Sequence, residues 1–436
     1  MTQLINHFLT AVLLISFATA GAAAQDNRVI GSIEFVGLKQ VTAEDAIATS
    51  GLIVGEPFKV EAVDAAAQKL VDSGIFKQLG YRTRTVGNKV TITFEIEEAK
   101  SDEAPVVFDN FIWFTDEQLL TSIHQLVPTF YGRIPNEGKL PESIAAALQQ
   151  LLNDQKIPGK VEYTAAQDLS GHLTGHVFSV TGIKMQNCKF IFPGAKNIPE
   201  DKLREVSQRE MGEADYSREV VRGFASLKLI SMYREVGQLQ AKFADPIGKP
   251  DQSCKNGVEV TIPVTEGLIY SFSSPEWYGM SALTVDQLND LLGMKAGEVA
   301  NGIKFDRGVV GVQKAYGQFG YIEARIRPQA EFDDSTQRVT YKISVSEGPQ
   351  YRMGSLFYKG LSERDAQAFR AAWRLRRGQV FDATYHDEFF KTDARSILLR
   401  LAAERQATGK QPPKLDIKRS ANRETLTVDV TFELTN

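Results

Sequence analysis

Two histidines four residues apart, His172 and His176 in the stretch GHLTGH, are the nearest approach in this chain to a metal-ligating pair. On a strand that spacing puts both on one face but roughly 13 Å apart, too far to share an ion directly. Both have the parity of Val180, so the plainer reading is the irregular start of an inward strand face. His7, His124 and His386 stand alone. A catalytic centre needs a nucleophile, a base and an orienting group that converge. No HExxH, GxSxG or P-loop spacing supplies such a set. The sequence therefore predicts no enzyme, no catalytic residue, no cofactor and no metal.

A second candidate is GQFGYIEARIRP, residues 317–328. Gly317 and Gly320 have the spacing of a clamp that grips nucleic-acid backbone. A phosphate cradle, however, wants its glycines opening a helix. Here they close a helix and lead into Tyr321, Ile322, Ala324 and Ile326, so they read as a turn. Gly80-Tyr81 and Gly237-Gln238 are read as the same turn elsewhere in the chain. Charge agrees: 50 Lys and Arg against 54 Asp and Glu give net −4, with no basic stripe for nucleic acid.

The elements that carry these residues recur. Phe8 to Ala24 is an uncharged apolar run ending in Ala22-Ala23-Ala24, the pattern of a cleaved signal peptide over residues 1–24. After it, an aromatic-x-Gly mark ends a predicted strand at Phe35-Val36-Gly37, Phe192-Pro193-Gly194, Trp277-Tyr278-Gly279 and Tyr358-Lys359-Gly360. Phe108-Asp109-Asn110 takes the remaining place, with Asn expected to supply the positive φ of glycine. The marks recur at intervals of about 75–85 residues.

A helix-start signal follows each mark: Thr42 with Asp45, Thr115 with Gln118, Asn197 with Glu200, Thr284 with Gln287, Ser362 with Asp365. A Gly-led break, a second helix and two strands complete the unit. The last strand alternates, as in Val90, Ile92, Phe94, Ile96 and in Val339, Tyr341, Ile343, Val345, so each sheet buries one face. The fold class is α+β: five tandem β-α-α-β-β modules, each a three-stranded mixed sheet covered by two helices, in an elongated rod. The expected boundaries are 28–99, 104–182 (the divergent one), 183–266, 267–347 and 348–436. AKSDEAP, residues 99–105, is the one plain linker and an expected hinge, while VTEG and VSEG run straight into the next strand.

This ordered set resembles the POTRA domain, the periplasmic arm of the BamA/TamA-like outer-membrane assembly factors. The resemblance is carried in the first repeat by Ile33-Glu34-Phe35-Val36-Gly37, Gly55-Glu56-Pro57-Phe58, Gly74-Ile75-Phe76 and Ile96-Glu97-Glu98. In the fourth it is carried by Gly297-Glu298, Phe305-Asp306, Tyr316, Gly320-Tyr321 and Val345-Ser346-Glu347-Gly348. It implies a periplasmic, outer-membrane-associated protein, peripheral to the membrane, that binds extended chains on its sheet edges. The implied partners are unfolded outer-membrane proteins or assembly-complex proteins. Such factors normally continue into a β-barrel. With the repeats running to Asn436, the expectation is the arm without its barrel, or the soluble part of a split or truncated factor with a separate barrel subunit. A spacer that handles no client is the alternative, and a lipid carrier the third.

The expected strand-edge residues are Ile322, Ala324 and Ile326 in repeat four and Gln240, Lys242 and Phe243 in repeat three. In a POTRA-like sheet, the first and last strands are parallel neighbours. That places Cys188 and Cys254 at one end, where a disulfide closing the loop between them would contribute about 4 kcal/mol. Arg374, Arg376 and Arg377 are expected to end the first helix of repeat five, where the helix dipole favours them. They are also a candidate contact for anionic lipid or a partner.

Overall fold

The computed structural model describes residues 27–98, 103–407 and 414–435. The signal-peptide expectation and residues 99–102 of the linker lie outside them. The chain forms two compact units, divided between Lys184 and Met185. It is an α+β protein of small mixed sheets with helices packed against them.

In the first unit, β1 (Val29–Val36), α1 (Ala43–Ser50), α2 (Val60–Asp72), β2 (Phe76–Val86) and β3 (Lys89–Glu98) make module one, with sheet order β1-β3-β2. Module two has β4 (Glu103–Phe108), α3 (Asp116–Leu126), β5 (Arg133–Pro135), α4 (Leu140–Asp154), β6 (Lys160–Gln167) and β7 (Leu173–Thr181), in sheet order β5-β4-β7-β6.

The second unit continues the pattern. Module three has β8 (Gln186–Ile191), α5 (Glu200–Met211), α6 (Arg218–Phe224), one π-helical turn, α7 (Ile230–Glu235), β9 (Lys242–Phe243), β10 (Ile247–Asp251), β11 (Gly257–Thr261) and β12 (Val264–Thr265). Module four has β13 (Ser271–Phe272), β14 (Glu276–Tyr278), α8 (Val285–Leu292), α9 (Gly302–Gln318), β15 (Arg325–Asp333) and β16 (Arg338–Ser346). Module five has β17 (Arg352–Lys359), α10 (Glu363–Ala372), α11 (Tyr385–Lys391), α12 (Arg395–Ala407), β18 (Lys414–Asn422) and β19 (Thr427–Thr435).

In each module the central strand is parallel to the first and antiparallel to the one that follows the second helix. The alternating residues go where the pattern sends them: Val90, Ile92 and Phe94 are buried, as are Val339, Ile343 and Val345.

The aromatic-x-Gly mark has a steric cause. Gly37, Gly194, Gly279 and Gly360 all have positive φ. A Cβ on them would stand 2.1–2.5 Å from the carbonyl oxygens of Ile96, Val264, Val345 and Leu434, at the ends of the neighbouring last strands. Only glycine lets the chain turn there against that backbone. Asn110 does not take positive φ as the sequence suggested. Its amide instead pairs with both backbone groups of Val180, accepting from N–H at 2.7 Å and donating to C=O at 3.0 Å. The side chain stands in for a strand.

A carboxylate then fixes the loop behind the glycine. Glu98 accepts from the backbone N–H groups of Lys39, Gln40 and Val41. Glu266 accepts from those of Lys196 and Asn197 at 2.8 and 3.0 Å, and Glu347 from those of Ser281 and Ala282. Each loop leads into the first helix. Reciprocal capping boxes start two first helices, α3 at Thr115 with Gln118 and α8 at Thr284 with Gln287, and Ser362 accepts from Asp365 N–H. The expected cap at Asn197 is absent. Pro199 is the N-cap of α5, and Asn197 is held by Glu266.

Cys188 and Cys254 are disulfide-bonded, with Cα atoms 6.5 Å apart. Cys188 lies at a bulge: Asn187 and Lys189 pair with consecutive residues of β11, leaving the cysteine out of the ladder. Gly31 in β1 and Gly354-Ser355 in β17 lie at the corresponding breaks. The bulge frees the residue from pairing, and module three uses that freedom for a cross-link.

Within the second unit, modules three, four and five are joined by one repeated contact. Gly237 and Gly320 end the second helix with φ of +84° and +83°. The Gly237 carbonyl accepts from Tyr270 N–H at 3.0 Å, and that of Gly320 from Tyr351 N–H at 2.8 Å. A Cβ on either glycine would collide with that tyrosine's carbonyl and with Val299 or Val380. Two residues on, Leu239 packs on the core of module four and Ile322 on that of module five. Three residues on, Gln240 lies 3.0 Å from the Tyr270 hydroxyl, and Glu323 accepts from the Tyr351 hydroxyl at 2.8 Å. Gly80 does not belong to this set: it lies within β2, and Gly74 with φ of +75° ends α2 instead.

Gly194→Ala is expected to destabilise its unit by more than 1 kcal/mol, because the strained φ and the carbonyl contact act together. Gly55→Ala, at positive φ but with open space around it, is the smaller-effect control. Urea denaturation of both variants measures the difference.

Candidate strand-docking site

Each sheet leaves the strand after its second helix, or part of it, as an outer edge: β2, β6, β10, β15 and β18. Unpaired N–H and C=O groups on such an edge can accept an added strand. The edges are not equal. The module-three edge is split between β9 and β10, and Asp245 in the gap is held by Arg222 at 2.9 Å. Pro250 in β10 and Pro328 in the middle of β15 each remove a donor. In module one the Tyr81 hydroxyl donates to Asp64 at 2.6 Å, tying β2 to α2. In module two Gln149 of α4 accepts from Val161 N–H and donates to Gly159 C=O at the start of β6.

β18 differs. Its nine residues pair with β19 in unbroken register and contain no proline. Beside it lies an open groove of about 570 Å³ formed by Phe390, Leu398, Leu399, Ala402 and Leu415, with Arg395 and Lys414 at its borders. Leu399 is 63% exposed. The cause is local. In RSILLRLAAERQA Ile397 and Leu401 of α12 are buried and Leu398 packs partly against the core, while Leu399 and Ala402 are left to line the groove. A helix with apolar residues around more of its circumference than one sheet consumes is the sequence signal for this groove.

Of the residues expected to form edges, Ile326, Lys242 and Phe243 lie in edge strands, and the others do not. Ile322 and Ala324 precede β15. Ile322 serves the joint to module five, while Ala324 is buried in module four with its carbonyl accepting from Gln313. Ile326 is in β15, packed against the core. Lys242 and Phe243 form β9 and pair with Thr265 and Val264, and Gln240 belongs to the joint to module four. The alternation Ile322, Ala324, Ile326 looked like a strand because the joint also needs apolar residues at short spacing.

The other candidates separate. His172 is exposed before β7, with its Nδ1 2.7 Å from Ser170 Oγ. His176 is buried in β7 with its Nδ1 2.9 Å from the Tyr163 hydroxyl. Burial holds His176 below the usual histidine range. α10 ends at Ala372, so the arginines follow the helix rather than finishing it. Arg374 pairs with Asp393 and Glu388, leaving Arg376 and Arg377 exposed in the loop.

Two of the loop-fixing carboxylates are held low. Burial pushes the Glu266 carboxyl up, but the N–H groups of Lys196, Asn197 and Ile198 outweigh it and hold the group below the usual range. Glu347 is held low in the same way, against burial, by Ala282 and Ser281. Behind them, burial and then the neighbouring carboxylate push the phenols of Tyr233 and Tyr316 up.

Comparison with known proteins finds likenesses over parts of the chain. The family model for the surface antigen variable number repeat, the POTRA repeat, matches residues 29–99 and 270–348. A putative outer membrane protein assembly factor of Treponema pallidum (strain Nichols) is 21% identical over 381 residues, covering 85% of this chain. The chain spans 45% of that relative's length. Among solved structures, POTRA3-5 of Haemophilus influenzae BamA is 16% identical, with a TM-score of 0.43, over 58% of this chain and 96% of that one. The N-terminal domain of Omp85 from Thermosynechococcus elongatus is 14% identical, with a TM-score of 0.24, over 59% and 100%.

A carboxylate held low in the folded state stabilises it above the unfolded value, near 4.3 for Glu. That contribution is lost as pH falls through the folded value. Wild-type urea midpoints should therefore drop below about pH 4.5. Glu266→Gln should lower the midpoint at pH 7 and shallow the acid drop. An unchanged midpoint at pH 7 would deny the carboxylate this role.

Proposed function

We propose that this chain, which carries POTRA repeats at residues 29–99 and 270–348, is a periplasmic, outer-membrane-associated protein that works in outer-membrane protein assembly by holding extended polypeptide segments on the edge of β18. The edge and its groove carry the reading: nine residues of proline-free edge strand, with an apolar groove at the Lys414-Leu415 end. A segment added along β18 takes main-chain hydrogen bonds from the strand, which are indifferent to sequence. Its alternate side chains enter the groove under α12, which asks only that they be apolar. That combination suits a binder of many unfolded β-rich clients. The name of the Treponema relative, an assembly factor, and the POTRA repeats support the setting. No step requires a reacting group, and the reading is one of binding.

The test uses the full chain and a labelled seven-residue peptide of alternating valine and threonine. Leu399→Glu places a charge in the groove at a position that is largely exposed, so the fold should be retained. It is expected to weaken binding at least tenfold, about 1.4 kcal/mol. Bound peptide should slow hydrogen exchange in β18. Equal binding by the variant, with exchange in β18 unchanged, would remove this edge from the mechanism and favour a spacer that handles no client.

A further inference from the structure

The two repeated joints of the second unit share their backbone contact but differ in the side chains around it. Counting back three residues from Gly237 and Gly320 gives Arg234 and Gly317. The places are equivalent in space. A Cβ on Gly302 would stand 3.3 Å from Arg234 Cβ, and one on Gly317 would stand 3.3 Å from Ala383 Cβ. In the joint of modules three and four, Arg234 fills the slot and pairs with Asp306 at 2.8 Å. In the joint of modules four and five, glycine leaves the slot as a cavity of about 450 Å³, with Tyr321, Ile322 and Phe381 among its walls.

The charge changes with the filling. Asp387 takes the place of Asp306, four residues after the joint contact, and pairs with His386 at 3.0 Å. Ser231 is replaced by Lys314, and Ala330, by its register on the central strand, by Arg419. Arg419 donates to the Ala383 carbonyl at 3.1 Å. Among the described residues neither Lys314 nor Arg419 has an ion pair. The filled joint balances one cation with one carboxylate. The open joint sets two cations and a histidine against one carboxylate, around an apolar floor.

We propose that the cavity in the joint of modules four and five binds an acidic, partly apolar polypeptide segment, whose carboxylate lies between Lys314 and Arg419 while its apolar neighbour rests on Tyr321 and Ile322. The concave form suits a side chain entering a pocket, and the volume is that of a small-ligand site. The site shares β18 with the strand edge through Arg419 and Ala421, but none of the residues that form the groove around Leu399 lines it.

The experiment measures anisotropy of a labelled peptide, acetyl-Leu-Glu-Leu-Glu-Leu-amide, with the full chain, against the same peptide with glutamine for glutamate. Gly317→Arg restores the plug of the other joint opposite Asp387; glycine in the last turn of α9 is a poor helix former, and circular dichroism is the check on the variant's fold. Lys314→Glu changes an exposed side chain only. Both are expected to weaken the glutamate peptide at least tenfold, and added salt to weaken it further. Leu399→Glu should leave it unchanged, which separates this site from the groove beside α12. Equal binding of the glutamine peptide overturns the proposal, as does equal binding by both variants. So does capture of phosphatidylglycerol vesicles through Lys314 without peptide binding.

Discussion

The close approach of a glycine to the last carbonyls of a neighbouring strand sets the rest of the structure. Where Gly37, Gly194 and Gly279 pass those carbonyls, the chain leaves the sheet at one fixed place. The carboxylate that follows on the last strand, Glu98, Glu266 or Glu347, then fastens the emerging loop by its backbone N–H groups. First strand, first helix and last strand are thereby fixed to one another before any side chain of the core is counted. Helix placement over the apolar face is a consequence of this clasp, and so is the burial of the alternating strand residues.

The same economy appears at the joints. One glycine per joint ends a helix in the left-handed region and offers its carbonyl to the next first strand. Because the geometry is repeated, differences between the joints are informative. Arg234 against Gly317 is a difference of a whole side chain at a constant backbone position. The strand edges allow a similar comparison. Against a common topology, proline, a split strand or a tethering side chain sets four of them apart from β18.

Much of the fold was legible in sequence because it rests on periodicities and on residues with few roles. The alternating last strands, the capping pairs at Thr115 and Thr284, and the aromatic-x-Gly marks each have one dominant physical meaning. The cysteine pair was legible too, once β8 and β11 were taken as parallel neighbours. Asn110 was misread because asparagine has two ways to replace glycine, by backbone conformation or by its amide, and sequence does not choose between them. Ile322 and Gln240 were misplaced because short apolar and polar spacings at a joint imitate a strand. The β18 groove depends on which apolar residues of α12 the core leaves unused, and that is settled only by packing.

α9 has a consequence for how such a chain can change in length. Near its N-terminal end Asp306 meets Arg234, and at its C-terminal end Gly317 accepts from Ala383 N–H. The 17 residues between and including its ends are therefore gripped from both sides. A single inserted residue would turn one end by about 100° relative to the other and lengthen the helix by about 1.5 Å. Neither joint could then be satisfied together with the other. The turns between β15 and β16 and between β18 and β19 are free of this constraint, because strand length there can drift without turning one end of α9 against the other. The helix acts as a ruler for the chain, and the hairpins are where its descendants are free to vary.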